Sequence, residues 1–273
     1  IQVIFKRSKV EVTRSMIEQC PSLLAVQLCC IGDDSVDKVA CADHGIMVFN
    51  DPVSNGRSVI ELVVGSMISL ARRLFTTSNA CREGLWEKTQ YERYEIYGKH
   101  VGILGLGRIG ETIAKRAKAF EAQIHYHSRS QKDNDYHYHI SPKELAKNVD
   151  VLFVITPGGN STKHLVDESV LKALGKSGTL INVSRGSVVD ETALIKALQT
   201  GTLGFAGLDV FEAEPIVPNE LKSMENVVLT PHIGSATIQT RQAMGDLTCD
   251  NLLSYFKSGK VFTPVPECSK LNI

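Results

Sequence analysis

A glycine-rich turn between a strand-like run and a helical pattern is the feature that most constrains this chain. Residues 101–110 read V-G-I-L-G-L-G-R-I-G, and Gly105, Gly107 and Gly110 form the spacing G-x-G-x-x-G. In a strand–turn–helix unit the first glycine permits a tight turn, the second lets a pyrophosphate approach the backbone, and the third lets helix and strand pack closely. The pattern therefore predicts a dinucleotide-binding turn at the N-terminus of a helix.

From Lys99 onward, short β-branched runs alternate with helical stretches. Most of the runs are continuously apolar, which is typical of strands buried on both faces. The alternation predicts the α/β class, with a doubly wound parallel Rossmann sheet and right-handed crossovers. The six predicted strands are His100–Leu104, Gln123–His127, Val151–Ile155, Thr179–Ser184, Phe205–Val210 and Asn226–Thr230, and the helices are Ile109–Phe120, Pro142–Lys147, Glu168–Leu174 and Glu191–Thr200.

The first fifty residues predict a smaller, flavodoxin-like α/β unit. Because three strands are few for an independent domain, we expect this unit to be N-terminally incomplete, and the chain opens on Ile1 rather than Met. One long amphipathic helix is predicted over Ser58–Phe75, and the segment around Pro264 is expected to return across the first unit. The predicted domain segments are 1–54, 55–235 and 236–273. The predicted elements of the first unit are strands Gln2–Phe5, Leu24–Cys29 and Ile46–Asn50 and helices Thr13–Gln19 and Ser35–Asp43.

Charge and cysteine usage argue against several classes of protein. Thirty Lys and Arg residues balance thirty Asp and Glu residues, so the formal charge is zero, and binding to nucleic acid or to an acidic membrane is not expected. The most apolar stretch, 62–71, is too short to span a bilayer. The seven cysteines are scattered and contain no C-x-x-C pair, which favours a reducing compartment. We therefore expect a cytoplasmic protein.

The end of the second strand indicates which dinucleotide binds. An NAD site places Asp or Glu there to bind the ribose 2′-hydroxyl, whereas this chain has Ser128, Arg129 and Ser130. Hydroxyls and a guanidinium bind a 2′-phosphate through charge-assisted hydrogen bonds. The sequence predicts that NADP is the preferred cofactor, with NAD as the alternative.

Ionisable side chains follow the last three predicted strands of the larger sheet. Arg185 follows the fourth strand, Asp209 and Glu214 follow the fifth, and His232 follows the sixth. Open α/β sheets bind ligands at the carboxyl ends of their strands. We therefore expect an arginine, a carboxylate and a histidine to converge beside the nicotinamide.

These motifs, in this order and spacing, resemble the D-isomer-specific 2-hydroxyacid dehydrogenases, in the branch of phosphoglycerate dehydrogenase and the glyoxylate/hydroxypyruvate reductases. The resemblance covers essentially the whole chain. It implies reversible hydride transfer between NAD(P)H and a small 2-oxo acid. In it Arg185 holds the substrate carboxylate and carbonyl oxygen, His232 donates the proton, Glu214 stabilises the charged histidine, and Asp209 orients the cofactor carboxamide.

The resemblance also implies further contacts and an assembly. By this resemblance, the substrate domain comprises the segments 1–54 and 236–273, and the dinucleotide-binding domain comprises 55–235. A homodimer is implied around the helix Ser58–Phe75, with Trp86 buried in the contact. Further cofactor contacts are Arg108, Ile109, Thr156, Pro157, Ser184 and Gly234, and substrate contacts besides Arg185 and His232 are Arg7, Ser8, Cys30, Ile31 and Gly32.

The sequence is compatible with three functional hypotheses. The stretch 54–62 resembles phosphoglycerate dehydrogenase, whereas Thr156-Pro157-Gly158-Gly159 and the Ser128-Arg129 loop resemble hydroxypyruvate reductases. The leading hypothesis is a glyoxylate/hydroxypyruvate reductase, and the runner-up is an NAD-dependent 3-phosphoglycerate dehydrogenase. The hypothesis of a different class is a non-catalytic NAD(H) sensor of the corepressor type. No metal is predicted, because the H-x-H pairs 125/127 and 137/139 lack a completing carboxylate or thiol.

Overall fold

The computed structural model describes residues 1–7, 10–86 and 88–272. Two compact units divide the chain. The smaller one combines Ile1–Ser58 with Ser235–Ile273, and the larger one is Val59–Gly234.

The N-terminal part of the smaller unit forms a three-stranded parallel sheet in the order β1-β2-β3. Its central strand is buried at every position, including the polar Gln27. Both helices begin at side-chain caps, since Thr13 accepts a hydrogen bond from the Met16 amide and Asp37 from the Ala40 amide. The elements are β1 (Val3–Lys6), α1 (Arg14–Glu18), β2 (Ala25–Leu28), α2 (Lys38–Asp43) and β3 (Met47–Phe49).

Two helices, α3 (Gly56–Arg72) and α4 (Leu74–Arg82), stand where the sequence predicted one helix over 58–75, so that prediction is wrong. The break is Arg73, which has a left-handed backbone with φ of 53°. Its guanidinium lies 4.6 Å from the ring centre of Phe205 and donates to the Glu225 carbonyl at 3.2 Å. These tertiary contacts favour a conformation that local helix periodicity does not encode.

The larger unit contains a seven-stranded, wholly parallel sheet in the order β10-β9-β8-β7-β4-β5-β6, which confirms the predicted fold class. The chain runs outward from β4 in one direction, then restarts at β7 on its other side. The carboxyl ends of β4 and β7 therefore flank the topological switch point, where such sheets bind ligands. The elements are β4 (His100–Leu104), α5 (Arg108–Lys118), β5 (Gln123–His127), β6 (His137–Tyr138), α6 (Pro142–Lys147), β7 (Val151–Val154), α7 (Glu168–Leu174), β8 (Thr179–Asn182), α8 (Glu191–Gln199), β9 (Phe205–Leu208), α9 (Asn219–Lys222) and β10 (Val227–Leu229).

The edge strand β6 is the strand that the sequence missed, because two residues are too few to show a period. It completes a cluster of four imidazoles on β4, β5 and the β6 segment. His125 Nε2 lies 2.9 Å from His100 Nδ1, and His125 Nδ1 lies 2.9 Å from His139 Nε2. The ring of His137 is 4.7 Å from that of His125. Burial, reinforced by the neighbouring imidazoles, lowers the pKa of His125 to about 4.

The C-terminal part of the smaller unit begins with α10 (Ile238–Ser258), which the sequence did not predict. Its buried positions include Thr240, Thr248 and Asn251, so a polar face is turned inward and the apolar stripe is weak. The Asn251 amide oxygen accepts from the Phe262 amide at 2.8 Å, and its nitrogen donates to the Thr263 hydroxyl at 2.9 Å. Among the described residues, no helix has the length and apolar character needed to cross a bilayer.

The return segment pairs with the first sheet, as the sequence led us to expect. Pro264 forms an antiparallel bridge with Phe49 of β3, and the Val265 amide donates to the Val48 carbonyl at 2.9 Å. Val265 and Cys268 belong to the hydrophobic core of the smaller unit. Both ends of the chain thus contribute to one core.

Candidate active site

The glycine turn between β4 and α5 is built as its spacing predicts. Gly105 has φ of 105°, a conformation that side chains rarely adopt. A Cβ on Gly110 would lie 2.3 Å from the Gly105 carbonyl oxygen, so helix and strand approach too closely for any side chain. A Cβ on Gly107, by contrast, would have no neighbour within 4 Å. Gly107 is also the N-cap of α5 and supplies no side-chain cap, so the first-turn amides face open space suited to an anion.

The two residues after Gly107 differ in exposure. Arg108 is exposed at the first position of α5, and Ile109 is half-buried and packs against the core between α5 and the sheet.

The loop after β5 presents hydroxyls and a guanidinium beside this turn. The Gly105 amide donates to the His127 carbonyl at 2.9 Å, which joins the glycine turn to the end of β5. Ser128 Oγ donates to the Ser130 carbonyl at 2.7 Å, and Arg129 is exposed. No carboxylate stands in the stretch 127–132. The loop therefore has the chemistry of a 2′-phosphate site rather than of a 2′-hydroxyl site.

The end of β7 supplies the other side of the switch point. Thr156 follows this strand, and its methyl group lies 3.1 Å from the position of a Cβ on Gly105. The Thr156 hydroxyl is buried and has no partner in the part of the chain that the structure describes. The Pro157 carbonyl accepts from the Thr162 hydroxyl at 2.7 Å. A buried hydroxyl without a partner at the glycine turn fits a site that a dinucleotide completes.

Asn182, the last residue of β8, organises the turn that carries Arg185. Its amide oxygen accepts from the Ser184 amide at 3.0 Å and from the Ser184 hydroxyl at 2.8 Å, and its nitrogen donates to the Arg185 carbonyl at 3.0 Å. Asn182 is only 1% exposed. The guanidinium of Arg185, which is half-buried, donates to the Ser184 carbonyl at 2.8 Å. A buried amide thus fixes the backbone from which Arg185 projects.

Asp209, just after β9, anchors the loop that follows β10. One carboxylate oxygen accepts from the Thr230 hydroxyl at 2.7 Å and from the Ile233 amide at 2.8 Å. The other oxygen accepts from the Gly234 amide at 2.9 Å, and Asp209 is 2% exposed. Gly234 is buried here, since a Cβ would lie 3.2 Å from that oxygen. The carboxylate therefore holds both sides of His232.

His232 and Glu214 form a directly bonded pair. His232 Nδ1 lies 2.8 Å from Glu214 Oε2, and the Phe211 amide donates to Glu214 Oε1 at 3.0 Å. His232 has a left-handed backbone with φ of 53°, so tertiary contacts hold it in a conformation that few non-glycine residues adopt. The exposed fraction of the side chain is 43% for His232 and 12% for Glu214. A half-exposed imidazole backed by a largely buried carboxylate has the geometry of a proton donor.

The loops that carry Arg185, Glu214 and His232 follow three adjacent strands, β8, β9 and β10. The first two loops touch, since a Cβ on Gly186 would lie 2.0 Å from the Phe211 carbonyl carbon. The structure therefore groups the three predicted side chains at one edge of the larger sheet.

The predicted substrate contacts lie in the smaller unit, after β1 and β2. Arg7 is exposed at the end of β1, and Ser8 lies outside the described residues. Cys30 Sγ donates to the Gly32 carbonyl at 3.3 Å, and the Ile31 carbonyl accepts from Asn50 at 2.8 Å. These residues share the carboxyl edge of their own sheet.

Sequence reasoning gave no role to Asn182, Thr230, His164 or Glu212. All of them except His164 lie inside motifs that were recognised, but only the structure shows what their side chains bind. His164 and Glu212 form a second histidine–glutamate pair beside the first. Within the described ranges no group of three His, Cys, Asp or Glu side chains is arranged to hold a metal ion.

Comparison with known protein families gives a match over most of the larger unit. Residues 64–234 match the family model described as D-isomer specific 2-hydroxyacid dehydrogenase, NAD binding domain.

Individual relatives extend the similarity to nearly the whole chain. The glyoxylate/hydroxypyruvate reductase A of Arabidopsis thaliana is 46% identical over 252 residues, covering 92% of this chain and 80% of the relative. A hydroxyphenylpyruvate reductase of Plectranthus scutellarioides is 42% identical over 267 residues, which cover 97% of this chain and 85% of the relative.

A solved structure agrees in fold over the same length. The NADPH-dependent glyoxylate/hydroxypyruvate reductase of Sinorhizobium meliloti, solved in complex with NADP and malonate, is 41% identical, has a TM-score of 0.92, and is matched over 98% of this chain and 85% of its own. The family match, the sequence relatives and this structure all indicate the same family. The chain is a member of the D-isomer specific 2-hydroxyacid dehydrogenase family.

Proposed function

We propose that this protein is an NADPH-dependent reductase of small 2-oxo acids, acting on glyoxylate or hydroxypyruvate. The observation that carries the proposal is the bonded pair of His232 and Glu214, whose loop neighbours that of Arg185. The names of the relatives in Arabidopsis and Sinorhizobium support the substrate class.

In the proposed reaction His232 supplies the proton. Its Nδ1 is occupied by Glu214, so Nε2 is the ring nitrogen left to donate to the carbonyl oxygen of the substrate. Glu214 stabilises the imidazolium before transfer, and Asp209 keeps the loop in position through Ile233 and Gly234. When NADPH is bound, it supplies the hydride to the carbonyl carbon.

Arg185 binds the substrate in this proposal. A guanidinium carries donors in a fixed fork that matches a carboxylate and the adjacent carbonyl oxygen. The Asn182 amide, which bonds the Arg185 carbonyl, fixes the direction from which the side chain leaves the backbone. The proposed substrate contacts of the smaller unit are Arg7, Ser8, Cys30, Ile31 and Gly32.

The larger unit is proposed as the dinucleotide-binding domain, over 55–235, and the flanking segments as the substrate domain. Gly105, Gly107 and Gly110 with the first turn of α5 would hold the pyrophosphate. Further proposed cofactor contacts are Arg108, Ile109, Thr156, Pro157, Ser184, Asp209 and Gly234. Ser128, Arg129 and Ser130 would hold the 2′-phosphate, and the NADP complex of the Sinorhizobium relative supports this choice.

A substrate panel tests the proposal. Oxidation of NADPH should be fastest with glyoxylate or hydroxypyruvate, and the panel includes phosphohydroxypyruvate and hydroxyphenylpyruvate. His232→Ala should lower kcat by between about 10²- and 10⁴-fold while NADPH binding is retained. Arg129→Ala should raise the KM for NADPH by on the order of tenfold and leave that for NADH within about twofold. Cofactor binding without reduction of any 2-oxo acid would contradict the enzyme and favour the NAD(H) sensor, whereas preference for phosphohydroxypyruvate with NADH would favour phosphoglycerate dehydrogenase.

The proposal includes a homodimer around the stretch 58–75, with Trp86 in the contact. Large apolar side chains are exposed there, among them Phe75 at 56% and Trp86 at 86%. Exposed apolar clusters of this kind mark association sites. Light scattering should give twice the chain mass, and Trp86→Ser should shift the protein toward the monomer. Because Trp86 is the one tryptophan of the chain, a blue-shifted emission that is lost on dilution reports its burial in the dimer.

The proposed location is the cytoplasm, because scattered cysteines without a disulfide framework suit a reducing compartment. Imaging of a fluorescent fusion tests this, and accumulation in an organelle would contradict it.

A further inference from the structure

Two histidine–glutamate pairs share one turn of the larger unit. His232 Nδ1 bonds Glu214 at 2.8 Å, and His164 Nε2 bonds Glu212 at 2.5 Å, so the two carboxylates are only two positions apart. Both histidines have left-handed backbones, with φ of 50° for His164 and 53° for His232. Few non-glycine residues adopt this conformation, and those that do tend to lie at functional sites. The proposed chemistry uses only the first pair.

The Glu214 carboxylate is fixed through the backbone of its own turn. The Phe211 amide donates to one carboxylate oxygen at 3.0 Å while the other oxygen bonds His232. A Cβ on Gly186 would lie 2.4 Å from the Glu212 nitrogen, so this turn rests directly on the backbone that follows Arg185. A displacement of the 211–214 turn therefore moves Glu214 relative to both Arg185 and His232.

His164 connects this turn to the loop after β8. Its backbone amide donates to the Ser187 carbonyl at 2.8 Å, and its ring bonds Glu212. The Glu212 amide in turn donates to Glu191, in the first turn of α8, at 3.2 Å. Glu212 is thereby held from the loop after β7 and from the loop after β8.

Several carboxyl groups lie close together around the turn. Burial raises the pKa of the Glu191 carboxyl, while Glu212 lowers it through the hydrogen bond from its backbone amide and raises it through its charge. Glu191, Glu212 and Glu214 place three carboxyl groups on or against one short turn. The hydrogen bond of His164 holds the Glu212 carboxylate in place, so its removal should let the turn relax away from its present position.

We infer that His164 and Glu212 are positioning residues, which hold the 211–214 turn so that Glu214 stays bonded to His232. The inference rests on the proposed function in assigning proton donation to His232, but the bonding itself is independent of substrate identity. When the pair is broken, the protonated form of His232 loses part of its stabilisation. His232 then titrates at lower pH, and reduction at neutral pH becomes slower.

The experiment compares His164→Ala with His164→Gln. Gln carries a nitrogen donor at about the reach of Nε2 and keeps the hydrogen bond to Glu212. NMR titration of the imidazoles in the cofactor-free protein follows His232, which is assigned among the eight histidines by the spectrum of His232→Ala. The titration midpoint of His232 should fall by about half a pH unit or more in His164→Ala and stay near the wild-type value in His164→Gln. The basic limb of the kcat/KM profile should move in parallel, and kcat/KM at neutral pH should fall by about threefold for each half unit of that shift.

Lys196→Ala is the matched control. Lys196, on α8, forms an exposed ion pair at 3.2 Å with Glu168 on α7. No described hydrogen bond or ion pair joins Lys196 to the 211–214 turn. Neither the titration midpoint of His232 nor the kcat/KM profile should therefore change in this variant. If His164→Ala fails to fold, Glu212→Ala and Glu212→Gln repeat the comparison at the other partner of the His164–Glu212 pair.

An unchanged midpoint in both alanine variants overturns the inference, as does a midpoint that falls equally in the glutamine and alanine variants. A shifted midpoint in a protein that reduces no 2-oxo acid would support the positioning role and refute the proposed function.

Discussion

The buried imidazole of His125 should make the larger unit less stable in mild acid. His125 is 8% exposed at the centre of the histidine cluster, and burial together with His137, His100 and His139 lowers its pKa from 6.5 to about 4. In the unfolded chain His125 gains a proton as the pH falls through 6.5, whereas in the folded protein it does so only near 4. Between these values the unfolded state binds more protons, so the free energy of unfolding decreases as the pH falls.

The size of the effect follows from the same two values. Each pKa unit is worth about 1.4 kcal/mol, so lowering the pKa from 6.5 to about 4 corresponds to about 3 kcal/mol lost across that window. Burial also lowers the pKa of His139, which adds a loss of the same sign. For a unit of this size, about 3 kcal/mol corresponds to a decrease in Tm of about 6 to 12 °C.

Thermal unfolding followed by circular dichroism between about pH 8 and about pH 4.5 measures the decrease in stability, because proton linkage places most of that decrease in this range of pH. His125→Phe removes the titrating group but also its two imidazole hydrogen bonds, so it should have a lower Tm than the wild type at neutral pH and a flatter dependence on pH. His44→Asn, at an exposed histidine of the smaller unit, is the control and should keep the wild-type slope. Equal slopes in wild type and His125→Phe would refute the reasoning.

Three further predictions follow from packing. Gly186→Ala should lower kcat by at least about tenfold with the fold retained in circular dichroism, because the new Cβ would lie 2.0 Å from a backbone carbon of the neighbouring turn; wild-type kinetics would contradict this. Asp209→Ala should lower the free energy of unfolding by about 3 kcal/mol or more in urea, since three donors of the 230–234 loop lose their acceptor; a change below about 1 kcal/mol would show that water replaces the carboxylate. Iodoacetamide should modify the exposed Cys81 in the native protein but Cys41 only after unfolding, because burial raises the pKa of Cys41 to about 12; mass spectrometry of native Cys41 carrying the label would contradict this.

The sequence predicted most of the larger sheet because most of its strands are buried and therefore read as continuous apolar runs. His100–Leu104 and Gln123–His127 have the bounds that were predicted for them. The break at Arg73 was not predictable, since it depends on Phe205 and Glu225, which are far away in the sequence. The helix Ile238–Ser258 was not predicted from the sequence, because it buries threonine and asparagine rather than an apolar stripe.

For the candidate site, the motifs identified the candidate residues but did not predict most of the hydrogen bonds between them. The pairing of His232 with Glu214 was expected from resemblance, whereas the engagement of Asp209 by three donors of one loop was not. His164 and Glu212 lie 48 positions apart, and only Glu212 belongs to a recognised motif, in which it was given no role. Only the fold brings the loop after β7 against the turn after β9.

The bonds of Asn251 set an order of events during synthesis. The larger unit is a single continuous stretch, so all of its strands are available once residue 234 has left the ribosome. The first sheet must wait longer, because Thr263, which Asn251 binds, donates in turn to the carbonyl of Asn50 at 2.5 Å. We expect nascent chains halted near residue 270, whose last residues are still inside the ribosome, to resist protease over the larger unit while residues 1–58 are still cleaved.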